Sequence, residues 1–198
     1  MIEYFDGKLK VFDNVLSKEI LDKWENYYQH ELTFRRSATE TPLSTKETMT
    51  DDNVYFCSNM SYKKNIEVFD YENTIVPYAK QIESKVTAKC KRTYINCFDR
   101  HDTFVGHQDI DILQGENYFV STVLFLSPDW NTPGGGLEFK VDTESVLIEN
   151  VYNRLICFSG DIWHCVQPFD AQRARLTHYC TFSDICRTQP YFASKNIW

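Results

Sequence analysis

At 198 residues the chain is long enough for one domain with a sizeable hydrophobic core, whereas two domains would each be small. Its net charge of -7, with 15% aromatic residues, lacks the basic excess of a general nucleic-acid binder and describes a soluble globular protein. No apolar run approaches the ~20 residues that span a bilayer, and the N-terminus MIEYFDGKLKVFD has no signal-peptide core, so the expected setting is cytoplasmic with no membrane partner.

Residues 1–15 read as an edge strand, with Leu9, Val11 and Val15 punctuating a short polar-apolar alternation. Ser17 is the expected N-cap of a helix in which Ile20, Leu21, Trp24, Tyr27, Tyr28 and Leu32 recur at helical spacing. Residues 35–52, polar and Ser/Thr-rich, are expected to form a loop, either over a site or as ordinary surface. Val54 to Cys57 is a short strand candidate, and Phe69 to Val86 a second helix interrupted or kinked at Pro77. From Lys89 onward, strand candidates follow one another at Cys90–Phe98, Phe119–Ser127, Gly136–Val141, Val146–Ile148, Arg154–Ser159 and Leu176–Ser183, separated by Gly, Pro and Asp turn signals. Helices first and many strands later, without βαβ alternation, predict a mainly β (α+β) protein. The expected architecture is an antiparallel double sheet or jelly roll with supporting helices. The expected organisation is a single domain, 1–198, with residues 1–88 as helical support plus an N-terminal strand and 89–184 as the jelly-roll core. The seven cysteines (Cys57, Cys90, Cys97, Cys157, Cys165, Cys180, Cys186) form no CxxC pair and read as reduced, mostly buried thiols.

His107 and Asp109 stand two residues apart in TFVGHQDID. In a strand or at a strand end they face the same way, so imidazole and carboxylate can reach one metal ion together. His164, in LICFSGDIWHCVQPF, is the third candidate, because an apolar strand turns out just before it at Ser159-Gly160-Asp161. Two histidines and one carboxylate leave open positions on a metal, the arrangement of non-haem Fe(II) oxygenases. A His-x-Asp pair alone also fits a capped turn with a surface histidine. The interval from His107 to His164 tips the balance, since strand, Gly-rich turn and strand are what a jelly roll needs to bring distant ligands together. His101 and His178 are weaker alternatives, because neither has a carboxylate two residues on in a strand.

From about Tyr94 to Phe182 the chain resembles the Fe(II)/2-oxoglutarate dioxygenases, and among them the prolyl-hydroxylase-like branch. The resemblance is carried by His107-Gln108-Asp109, by LFLSPDW leading into GGGLEF at Gly134 to Phe139, by NRLICFSGDIWHCVQP around His164, and by RARLT at Arg173 to Thr177. It implies a double-stranded β-helix, with His107, Asp109 and His164 as iron ligands and catalytic residues. It also implies that a basic residue on the last strand anchors the distal carboxylate of 2-oxoglutarate, for which an arginine offers a charged fork. Arg173 and Arg175 compete for that place. Arg175-Leu176-Thr177 fits the family's Arg-x-Ser/Thr pattern, and an Arg173 anchor would leave Arg175 buried without a partner, so Arg175 with Thr177 is preferred. Tyr94, on a strand face with Asn96 and Phe98, is a further co-substrate candidate or else a half-buried strand tyrosine. Trp163 and Trp130 read as packing or rim residues.

The activity so implied is Fe(II)-dependent hydroxylation, with 2-oxoglutarate and O2 consumed to give succinate and CO2, and ascorbate as an accessory reductant. Asp109 favours hydroxylation over halogenation, since related halogenases carry a small residue in place of that carboxylate. A prolyl residue of a peptide or protein is the leading expectation for the substrate. A free amino acid or other small metabolite comes second. A nucleic acid is disfavoured by the acidic balance. A non-enzymatic metal-binding jelly roll is the rival from another class. Residues 35–52, with Glu40, Glu47, Asp51 and Asp52, and the turn at Asp129 to Gly135 are expected to line the entrance and to favour a basic or neutral peptide. Oligomeric state is not legible at this level.

Overall fold

The computed structural model of the protein describes residues 1–30, 35–38, 54–59, 68–87, 90–98, 106–109, 119–128, 133–170, 172 and 174–183. The chain opens with a hairpin, β1 (Ile2–Tyr4) and β2 (Leu9–Asp13), followed by helix α1 (Lys18–His30) and strands β3 (Arg35–Ala38) and β4 (Val54–Asn59). Two single-turn helices, α2 (Tyr71–Thr74) and α3 (Val76–Ala79), precede β5 (Cys90–Phe98), β6 (Phe119–Phe125), β7 (Leu137–Val141), β8 (Glu144–Ile148), β9 (Arg154–Ser159), β10 (Trp163–Val166) and β11 (Arg175–Ser183). Eight strands form one antiparallel sheet in the order β1-β2-β9-β6-β11-β5-β4-β3, and β10-β7-β8 form a second. The two face each other as a jelly roll, the fold class expected from the sequence.

The large sheet is covered on both faces. One face meets the small sheet through Leu9, Val11, Val123, Phe125, Leu137, Phe139, Ile148, Ile156 and Phe158. The other meets the helices through Trp24, Tyr28, Phe69, Ile75, Leu124, Leu155 and Phe182. Double coverage explains why β6 reads FVSTVLF, a continuous buried run with no polar alternation. In α1, Ser17 is the N-cap: its carbonyl accepts from Leu21 N–H at 3.0 Å, and its hydroxyl from Ile20 N–H at 3.4 Å. Leu21, Trp24, Tyr27 and Tyr28 are buried as the spacing predicts; Leu32 lies outside the described residues.

Several expectations are corrected. The N-terminal strand is not an edge: β2 lies between β1 and β9, so Leu9 and Val11 sit in the inter-sheet core, and β1 is the edge. The large sheet therefore takes β1–β4 from a region read as mainly helical support. The helix expected over Phe69 to Val86 is two separate turns. Pro77 stands in the first turn of α3, where its missing N–H breaks no intrahelical bond, and Ile75 caps the end of α2 while beginning α3. The polar stretch read as a loop from residue 35 begins as β3; residues 39–52 lie outside the described residues. Strand β10, which carries His164, was not expected as a strand at all; its four residues are too few for a periodic signal. Among the described residues Cys157 and Cys180 are buried, and no helix is long and apolar enough to cross a membrane.

Asn153 ties α1 to the sheet. It takes a left-handed conformation (φ 61°) at the start of β9, accepts from Leu16 N–H at 3.0 Å and donates to the Leu16 carbonyl at 2.9 Å. Asn153→Ala leaves both buried backbone groups unpaired and places a Cβ-bearing residue without the asparagine amide in left-handed space. Urea unfolding is expected to show a loss of about 2–4 kcal/mol. Asn153→Gly, which relieves the backbone term only, is expected to lose less.

Candidate metal centre

Strand β9 ends at Ser159, and Gly160-Asp161 turn the chain back into β10. Residues 106–109 are held against this turn by backbone hydrogen bonds: His107 N–H to His164 O and His164 N–H to His107 O, each 2.9 Å, and Asp109 N–H to Gly160 O, also 2.9 Å. His107 and His164 thus form a bridge that continues the small sheet beyond β10. The side chains of His107, Asp109 and His164 converge, with one donor atom from each lying within 4.8 Å of the others. Asp109 Oδ1 is 3.4 Å from His107 Nε2, its Oδ2 is 3.7 Å from His164 Nε2, and the two imidazole centroids are 4.6 Å apart.

The surroundings set the orientation and protonation of these groups. His164 Nδ1 lies 3.1 Å from the Ile162 carbonyl, which can only accept; Nδ1 therefore carries the proton and Nε2 presents its lone pair toward Asp109. Phe158 packs edge-on against His164 at 4.8 Å, and Phe139 stacks at 5.9 Å. Burial is the largest influence on His164 and pushes its pKa down, so the imidazole is neutral at physiological pH. Burial also acts most strongly on Asp109, but upward. The neighbouring His164 and His107 imidazoles and the Ser121 hydrogen bond together outweigh it and hold the carboxyl well below its usual range. A neutral imidazole at His164 and an ionised carboxylate at Asp109 are protonation states that a divalent cation requires of such ligands, so the donor set fits the ion that the resemblance implies. Ser121, which the sequence reading did not single out, donates to Asp109 Oδ2 at 2.5 Å and lies 3.3 Å from the Tyr179 hydroxyl. Its only signal was a small polar residue at an inward position of an apolar strand.

Arg175 opens β11 and is 1% exposed. Its Nε donates to the Gly135 carbonyl, and its guanidinium carbon lies 5.4 Å from the Phe98 ring and 5.2 Å from the Phe125 ring. Nη2 has no hydrogen-bond partner among the described residues, and none of them forms an ion pair with it. Burial pushes its pKa down to about 9, still above physiological pH, so the side chain remains a cation. A buried cation without a counter-charge is costly, and this orphaned donor fits a carboxylate ligand. Thr177, two residues on and also 1% exposed, shares that strand face, opposite Asn96 on β5.

The remaining candidates fall as follows. Tyr94 is paired in register with Tyr179, and its side chain lies outside the described residues. Arg173, His101 and Trp130 lie outside them too, as do Glu40, Glu47, Asp51, Asp52 and residues 129–132 of the expected entrance. His178 points to the helix side of the sheet, where its Nε2 is 3.0 Å from both Tyr71 Oη and Thr93 Oγ1, so it belongs to the core and not to the His107 site.

No protein-family model matches the sequence, and no curated protein matches it. Solved structures do. A prolyl hydroxylase from Trichoplax adhaerens, in complex with a hypoxia inducible factor oxygen degradation domain peptide fragment, superposes with a TM-score of 0.66 at 15% identity, covering 90% of this chain and 84% of that one. A prolyl-4-hydroxylase from Pseudomonas putida gives 0.61 at 16%, covering 89% and 92%. The non-heme alpha ketoglutarate dependent carbocyclase SnoK from nogalamycin biosynthesis gives 0.66 at 10%, covering 90% and 80%. The fold is thus the one used by 2-oxoglutarate-dependent oxygenases, prolyl hydroxylases among them.

Calorimetric titration with Co(II), a redox-stable stand-in for Fe(II), is expected to show one site that His164→Ala or Asp109→Ala abolishes without changing the apoprotein's circular dichroism. Ser121→Ala, which frees the carboxylate to rotate, is expected to weaken Co(II) binding about 10-fold to 100-fold.

Proposed function

We propose that the chain is an Fe(II)- and 2-oxoglutarate-dependent hydroxylase acting on a prolyl residue of a peptide or protein. The observation that carries the reading is the pairing, inside one jelly roll, of the His107–Asp109–His164 cluster with a buried arginine whose Nη2 has no partner among the described residues. In this reading His107, Asp109 and His164 hold Fe(II), and Arg175 with Thr177 takes the distal carboxylate of 2-oxoglutarate. Arg173 and Tyr94 remain the alternative co-substrate contacts. Residues 1–198 are taken as one catalytic domain, since the large sheet places β9, β6 and β11 between β2 and β5.

When bound, Fe(II) with 2-oxoglutarate and O2 supplies oxidative decarboxylation to succinate and CO2, coupled to insertion of one oxygen atom into a substrate C–H. The protein's own part is orientation. The Ile162 carbonyl fixes the His164 tautomer, Ser121 fixes the Asp109 carboxylate, and Gly135 aims the Arg175 guanidinium. The Phe139 and Phe158 rings exclude water from the inner side of His164. Asp109 occupies the position that would be small in a halogenase, which supports hydroxylation. Ascorbate rests on the resemblance alone and enters an assay only to keep iron ferrous.

A peptide substrate is supported by the likeness to a prolyl hydroxylase solved with a bound peptide fragment. The likeness to SnoK favours a second reading, oxidation of a small metabolite, on the same fold. Succinate release and a mass gain of about one oxygen atom, the atom this chemistry transfers, distinguish them. Proline-containing peptides are expected to be turned over, whereas turnover of free proline or other free amino acids without any peptide reaction would replace the leading reading by the second. With the preferred substrate, Arg175→Ala is expected to raise the apparent KM for 2-oxoglutarate by about 30-fold or more, the loss of one charge-assisted hydrogen bond of about 2 kcal/mol. Co(II) affinity in the absence of 2-oxoglutarate is expected to stay unchanged.

A further inference from the structure

Of the three clustered side chains, His107 is the least enclosed: its side chain is 35% exposed, against 9% for Asp109 and 7% for His164. The backbone of residues 106–109 is therefore an important part of what sets its position. The inner side of that segment is pinned by its hydrogen bonds to His164 and Gly160. Its outer side is pressed by one aromatic ring. Trp163 adjoins His164 on β10 and projects from the opposite face of the strand, half-buried. Its indole lies across Gly106 so closely that a Cβ on Gly106 would stand 1.9 Å from Cζ2, 2.4 Å from Cε2 and 2.7 Å from Cη2 of the ring. The glycine is needed here for space, because no side chain fits under the indole. The ring is itself contacted by Lys140, whose Nζ lies 4.5 Å from the ring centroid and 3.0 Å from Glu138 Oε1.

We propose that Trp163 is a positioning residue for the metal centre: its indole clamps Gly106 and so holds the His107 imidazole at the distance from Asp109 and His164 that one divalent cation requires. The inference rests on reading those three residues as a metal site. His107 and His164 already share a backbone bridge, and Trp163 adds a lever from the outer face, so one strand, β10, controls two of the three ligands. A residue first read as packing is thereby assigned to the geometry of the site.

The test uses Co(II) as the probe, with affinity read by calorimetry and ligand geometry by its visible spectrum, on the full chain and without any turnover. Trp163→Ala is expected to weaken Co(II) binding about tenfold, as loss of an outer-shell support does, and to alter the visible spectrum, whereas Trp163→Phe, which keeps a flat ring over Gly106, stays near wild type. Gly106→Ala approaches the same contact from the other side: the added methyl displaces the segment, and binding falls below that of Trp163→Ala. In the double variant Gly106→Ala/Trp163→Ala the overlap is gone, so affinity returns to that of Trp163→Ala alone. Wild-type affinity and spectrum in Trp163→Ala, or in Gly106→Ala should Trp163→Ala not fold, would overturn the clamp while leaving the metal site standing. Co(II) binding by the wild type that is absent, or that survives His164→Ala, overturns the metal reading itself.

Discussion

The structure depends on a reciprocal pair of backbone hydrogen bonds, His107 N–H to His164 O and His164 N–H to His107 O, each 2.9 Å. Two segments far apart in sequence are joined there, and the joint puts two imidazoles 4.6 Å apart with a carboxylate between them. Nothing in either segment alone makes a site. The large sheet carries Ser121 to Asp109, the β9–β10 turn carries Gly160 to the Asp109 amide, and Ile162 sets the His164 tautomer. Each contact acts on orientation more than on global stability, which resides in the two aromatic-rich cores on either face of the large sheet.

A second constraint acts at Arg175. Arg175 is a cation enclosed by Phe98 and Phe125, satisfied at Nε by a carbonyl and unpartnered at Nη2 among the described residues. Such a group stores a cost that an incoming carboxylate relieves. Ser121, which donates to Asp109, and Phe125, which packs against Arg175, are both buried on β6 four residues apart, and the proposed co-substrate is a small molecule bearing a carboxylate for the cation and a chelating group for the cluster. That complementarity is the physical content of the proposed co-substrate.

Much of this was legible in the sequence, for reasons that can be named. His107 and Asp109 are separated by the strand period, His164 follows an apolar run and a Gly-Asp turn, and Arg175 precedes a hydroxyl two residues on. Jelly-roll strands announced themselves because turn residues bound them. What was not legible depends on tertiary partners. β2 reads as an edge until β1 folds back onto it, Pro77 reads as a kink until Ile75 is seen to divide two turns, and the short β10 has no period of its own. Ser121 and Trp163 act only through the neighbours that the fold supplies.

The central claim is that metal and dicarboxylate occupy one interior and therefore bind cooperatively. Calorimetric titration of 2-oxoglutarate into the protein with and without Co(II), and of Co(II) with and without 2-oxoglutarate, tests it directly. Each ligand is expected to tighten the other by the same factor, as linkage requires. Affinities for the two that are independent of one another would contradict the account.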